Sequence, residues 1–158
     1  MKSSRPRAKV AAARPAQQTP RRRKAPHIAA QDLSGAEFSD CSLRDARLQD
    51  VDLSGAQIHD ATCHGLCLDD VDARKARIHN VELRQARLDD VNLSGARLCN
   101  VDLRRLHAED VNLSGAQLCN VDLSGVVIRD AEIAGLTIDG IRIDRLLARA
   151  RKKRSSGR

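Results

Sequence analysis

Histidine and cysteine recur at an interval of twenty in the middle of this chain, in the series Ser39, His59, His79, Cys99, Cys119 and Asp139. Imidazole nitrogen and thiolate sulfur are common zinc ligands, so the series invites a metal assignment. Geometry argues against one site. If residues twenty apart sit on successive rungs of a stack, four of them span about 14 Å at ~4.8 Å per rung. All ligands of one zinc must lie within about 2.0 to 2.3 Å of the ion. No metal centre and no cofactor is therefore expected, and the one reading left open is two adjacent members sharing an ion with outside help. The same spacing brings Cys99 and Cys119 within the Cα range of a disulfide. The five cysteines, which also include Cys41, Cys63 and Cys67, are odd in number and lie inside the repeat described below. They are expected to be reduced thiols of a cytoplasmic protein.

No catalytic constellation emerges. Cys63 falls at an apolar position with His64 beside it in sequence only, and the serines recur as Ser-Gly pairs with no converging base. The expectation is a binding protein, with a generic structural scaffold as an alternative, and not an enzyme.

A second series is richer. Asp50, Asp70, Asp90, Asp110 and Asp130 form a column of like charge, flanked by Asp69, Asp89 and Glu109 on one side and by Asp52, Asp72 and Glu132 on the other. These are eleven of the 21 acids. Asp is a good corner residue that repetition can simply copy, yet unit charges ~4.8 Å apart repel by about 0.9 kcal/mol even at the dielectric of water. Eleven charges over five rungs is about one per 2.2 Å, near the ~1.7 Å per charge of duplex DNA. Arg47, Arg87 and Arg129 dilute the edge. The eleven acids are the candidate partner-binding residues.

Both series are placed by one repeat. Stepping by five from Leu33 to Ile143 gives 23 centres, of which twenty are Leu, Ile or Phe; the residue two before is apolar in 22 cases. The other three positions are polar, charged or Gly. Neither a 3.6-residue helix nor a continuous strand keeps that phase. A short extended piece followed by a corner does. Gly, Asp or Asn usually stands two residues after the centre, as in Gly35, Gly55, Gly95, Gly115, Asp50 and Asn100, and these types suit tight turns of positive φ. The blocks VNLSGARLCNVDLRRLHAED and VNLSGAQLCNVDLSGVVIRD match best at a shift of twenty, so four repeats close one coil. Where the centre shrinks to Ala108 its partner grows to Leu106, the mark of a filled interior.

The triplets AQL, VNL, VDL and ARL, each with its following pair, resemble the pentapeptide repeat family, whose consensus is A(D/N)LXX, over some 115 residues. The resemblance implies an all-β fold, a right-handed quadrilateral parallel β-helix. It also implies a protein-binding function. The best understood members resemble DNA in shape and charge and bind type II topoisomerases, protecting gyrase from quinolones.

Charge divides the chain into three. Residues 1–30 hold nine Lys or Arg and all four prolines without one acid, and residues 145–158 hold seven basic residues without one acid. Residues 31–144 hold 21 acids against 12 basic residues, so the net charge of +7 is 16 − 9. Residues 1–30 are expected to be a disordered arm, residues 31–143 the solenoid, and residues 144–158 a basic capping helix and tail. Asp144 is a candidate N-cap, with Leu146 and Leu147 covering the open end of the core. Dimerisation through that end is an alternative. The arm reads as a solubilising segment, as a presequence, or as a tether for nucleic acid or an acidic partner through Arg21, Arg22, Arg23 and Lys24. Arg151, Lys152, Lys153 and Arg154 are the matching residues at the other end. With one Phe and neither Tyr nor Trp, such binding would be phosphate-directed and sequence-blind. No apolar run approaches the ~18 residues of a membrane span.

Overall fold

A computed structural model describes residues 26–155. The chain winds as a β-solenoid of about six coils that ends in a single helix. One sheet stacks β1 (His27–Asp32), β3 (Arg47–Asp52), β5 (Cys67–Asp72), β7 (Arg87–Asn92), β9 (His107–Glu109) and β11 (Val127–Ile128). The other stacks β2 (Glu37–Ser39), β4 (Gln57–Thr62), β6 (Arg77–Glu82), β8 (Arg97–Asp102), β10 (Gln117–Asp122), β12 (Thr137–Ile138) and β13 (Ile141–Arg142). Neighbours are parallel and register at twenty residues, as in Leu48↔Leu68 and Leu98↔Leu118. The pair β12 and β13 is antiparallel.

Corners fall where the five-residue phase puts them. Positive φ recurs at every fifth position from Ala30 to Asp130, and Gly, Asp and Asn fill most of these positions because they tolerate it. Four such corners per twenty residues make a four-sided coil. Inside, the centres and the residues two before them form one core: Val91 and Leu93 are 1% and 5% exposed, and Leu106 and Ala108 each 4%. The compensating pair thus shares one filled layer. A narrow void of about 50 Å³ runs between the core side chains, lined by apolar residues and Cys63. The interior is packed.

Both ends differ from expectation. Strand β1 begins at His27, inside the segment expected to be a disordered arm, because Ile28 continues the five-residue phase and registers with Leu48. At the other end the chain reverses through Asp139 and Gly140, both at positive φ (46° and 78°), so that Ile138 pairs with Ile141. Two such residues form the tight turn that joins antiparallel strands. Helix α1 (Ile143–Ser155) follows. Leu146 and Leu147 do not cover the core: they are 54% and 40% exposed, while Leu136 at 3% and Ile143 pack on the last layer. Asp144 lies within the helix instead of capping it from outside. Its carboxylate accepts the Gly135 N–H at 3.1 Å and binds Arg142, tying the helix to a corner of the coil, and both contacts hold its pKa below the usual carboxylate range.

Candidate functional site

The acidic edge assembles as the spacing predicts. Asp50, Asp70, Asp90, Asp110 and Asp130 occupy one corner on five successive rungs, at φ 53°, 53°, 51°, 51° and 46°, and all are exposed. Asp69 and Asp89 register with each other, and Asp89 with Glu109, one residue before that corner. None of these eight side chains has a hydrogen-bond or ion-pair partner among the described residues.

Asp52 and Asp72, two residues beyond the corner, are committed elsewhere. Asp52 accepts the Ser54 N–H at 2.7 Å, and Asp72 accepts the Arg74 N–H at 3.1 Å while pairing with its guanidinium at 2.7 Å. Asn92 and Asn112 make the same backbone bond to Ser94 and Ser114. The position therefore organises the next turn whatever its charge. Glu132 is exposed and unpaired among the described residues. Eleven candidates less these two leaves nine presented acids, about one per 2.7 Å over five rungs of ~4.8 Å.

The diagonally opposite corner solves the same backbone problem differently. There Asn120 Nδ2 donates to Asn100 Oδ1 at 2.7 Å, Asn100 to Asn80 at 3.1 Å, and Asn80 to Asp60 at 3.0 Å. An amide carries both donors and an acceptor, so it can bond above and below at once; a carboxylate only accepts. The Asp60 carboxyl is held below its usual pKa by the Asn80 donor and by His59. Sequence reading saw these asparagines as corner residues and missed the ladder, although their twenty-residue interval was the available signal.

A third edge is neutralised by ion pairs that climb the rungs. Arg84 bridges Glu82 at 3.3 Å and Asp102 at 2.6 Å, and Arg104 bridges Asp102 at 2.6 Å and Asp122 at 3.4 Å. The hydrogen bonds from Arg104, reinforced by Arg84, drive the Asp102 carboxyl well below its ordinary pKa against the desolvation that would raise it. His64 Nε2 stands 2.7 Å from the Glu82 carboxylate.

The histidine and cysteine series also lies in register, through Ser39↔His59, His59↔His79, His79↔Cys99 and Cys99↔Cys119. His59 contacts Glu37 at 3.0 Å and Asp60 at 3.2 Å, which raises its pKa above 6.5. Cys99 and Cys119 are joined in a disulfide with Cα atoms 4.7 Å apart, against the expectation of reduced thiols. Parallel register on a shared outward face holds the pair together. Cys41, Cys63 and Cys67 are free, and burial pushes the Cys63 thiol up to about 11. Among the described residues, no group of three or more His, Cys, Asp or Glu is placed to hold a metal ion.

Of the basic tether, Arg21, Arg22, Arg23 and Lys24 lie outside the described residues. Arg151, Lys152 and Lys153 are exposed on α1, and Arg154 falls in the same helix. Among the described residues no helix is long and apolar enough to cross a membrane.

No curated protein matches the sequence. Among solved structures, the chain is similar to the pentapeptide repeat protein Rfr23 from the cyanobacterium Cyanothece 51142, at 20% identity and a TM-score of 0.68, covering 72% of this chain and 91% of that one. It is also similar to a pentapeptide repeat protein of the Arabidopsis thaliana thylakoid lumen, at 21% identity and a TM-score of 0.59, covering 63% and 70%. QnrB1, a plasmid-mediated fluoroquinolone resistance protein, matches at 17% identity and a TM-score of 0.32, over 80% of this chain and 90% of its own. The family model for pentapeptide repeats matches eight copies, over residues 36–72, 67–105 and 108–142. Covering well over half of the sequence, those copies show that the chain belongs to the pentapeptide repeat family.

Proposed function

We propose that this chain is a non-enzymatic protein-interaction module working inside the cell. Its acidic edge presents a DNA-like row of charge to the basic groove of a DNA-handling protein of the type II topoisomerase kind. One observation carries the reading: the coil meets the same corner demand with a hydrogen-bonded Asn ladder on one side and with an unpartnered Asp column on the other. The backbone does not require Asp there, so the like charge is left for something outside the chain. The filled interior fits a surface-binding role, since it offers no concavity for a substrate.

A second reading places function in the basic ends, which would grip nucleic acid while the rod acts as a spacer. The exposed Arg151, Lys152 and Lys153 favour it. Self-association through the C-terminal end joins either reading, supported by exposed Ile141, Leu146 and Leu147. A pull-down from cell extract across a salt series separates the two main readings. It compares the full chain, a chain truncated to remove residues 1–25 with Arg151, Lys152, Lys153 and Arg154 also changed to Gln, and the combined Asp50→Asn, Asp70→Asn, Asp90→Asn and Asp110→Asn variant. Loss of a protein partner in the Asn variant alone supports the acidic edge. Loss of a steeply salt-dependent nucleic-acid affinity in the truncated chain alone supports the ends.

A further inference from the structure

The outer face of the first sheet, with the Asp corner beside it, presents nine exposed acids that have no partner among the described residues. The same chain carries a segment of matching charge. Residues 1–25, which lie outside the described residues, hold nine Lys or Arg and no acid, four of them consecutive at Arg21, Arg22, Arg23 and Lys24.

The chain enters the rod on this same sheet. The Pro26 carbonyl accepts the Arg47 N–H at 2.9 Å, and His27 registers with Arg47 on the first rung. Three residues further on, Ala30 takes the corner conformation of Asp50, at φ 51° against 53°, and so stands at the foot of the acidic column. Reach does not limit contact. From Ala30 to Asp130 is five rungs, about 24 Å at ~4.8 Å per rung, whereas 25 residues can span on the order of 80 Å. Arg47 and Arg87 lie on the near side of the face and repel a basic segment, which leaves Asp69, Asp89 and the corner beyond them as its attractive part.

We propose that residues 1–25 dock on the acidic edge of their own rod and mask it, so that an outside basic partner must displace them. The proposal rests on the reading of that edge as a partner surface and adds its regulation. Single exposed ion pairs contribute little. Here, however, the segment is joined to its site, which sets an effective concentration in the millimolar range for short linkers and lets weak pairs act together. Polyanions such as nucleic acid are repelled by the edge, and a second copy of this chain offers the same segment only at its much lower bulk concentration.

The test uses the full chain without any partner, so its outcome is independent of whether the edge captures a protein in the pull-down. In a Cys41→Ser, Cys67→Ser background, Thr19→Cys carries a nitroxide label, and broadening of amide resonances in the isotope-labelled rod reports its approach. At low salt the amides of Asp70, Asp90 and Asp110 should broaden, and those of Asn80, Asn100 and Asn120 on the diagonal edge should not. The broadening should disappear in 1 M salt, where the screening length is about 3 Å. It should also disappear in the combined Asp50→Asn, Asp70→Asn, Asp90→Asn and Asp110→Asn variant, and weaken when Arg21, Arg22, Arg23 and Lys24 become Gln, a change that leaves the rod untouched. A mixture of nitroxide-labelled and isotope-labelled chains should show none. Absence of broadening at low salt, equal broadening of both edges, persistence in 1 M salt, full broadening in either variant, or broadening in the mixture, which would assign the segment to a second copy, would each overturn the proposal.

Discussion

Two diagonal edges of one rod answer the same backbone demand and differ in everything beyond it. On the Asn edge, Asn80, Asn100 and Asn120 satisfy one another from rung to rung. On the Asp edge, five carboxylates at equally positive φ accept nothing from the described chain and repel along the column. The repeat sets the shape of both edges; the choice between amide and carboxylate sets whether that edge is finished internally or left for a partner. The Arg84 and Arg104 edge adds a third outcome, in which acids are present but neutralised.

The largest expected effect ignores the edges and strikes the layer they share. Leu93→Ala removes a 5% exposed centre and should cost about 2 to 5 kcal/mol in denaturant unfolding, whereas Ser94→Ala should cost little. Equal costs would show that the edges do not share the five-residue phase assigned to them.

A smaller effect should follow from making one edge like the other. Asn100→Asp keeps tolerance of positive φ but removes the donor to Asn80 and sets a carboxylate above Asp60 and its ladder. A loss of about 1 to 2 kcal/mol is expected, read from the shift in urea midpoint. No loss would mean that the ladder is incidental.

The paired edge should respond to acid. Asp102 has a depressed pKa, so the stability it contributes is present above its unfolded-state pKa of about 3.9 and is lost as pH falls toward the lower folded value. Arg104→Gln should flatten that acid-side decline below about pH 4 while costing under about 1 kcal/mol at pH 7, because Arg104 is substantially exposed. Identical acid profiles for the two proteins would remove Arg104 from the account.

How far the sequence disclosed these edges follows from the range of each interaction. The period of five, the Asx and Gly corners and the Ala108 and Leu106 exchange are local patterns, and they made the coil, the core and the Asp column legible. The Asn ladder and the Arg84 and Arg104 bridges join side chains on neighbouring rungs, and residue type alone does not say whether such neighbours bond or merely coexist. Asp52 and Asp72 looked like surface acids because their backbone bond lies two residues downstream. Strand β1 was missed because Ala30, at φ 51°, lacks the corner chemistry of its counterparts. The terminal reversal was signalled by Asp139-Gly140, but the repeat phase continuing through Ile138 and Ile143 concealed it.

The central claim is that the Asp column is not there for the fold. The most direct measurement is the thermal midpoint of the combined Asp50→Asn, Asp70→Asn, Asp90→Asn and Asp110→Asn variant against the natural chain at low and high salt. The midpoint should be unchanged or higher at low salt, with the difference shrinking as salt screens the repulsion over the ~10 Å Debye length at 0.1 M. A midpoint lowered by several degrees at every salt concentration would contradict it, because the carboxylates would then be holding the rod together.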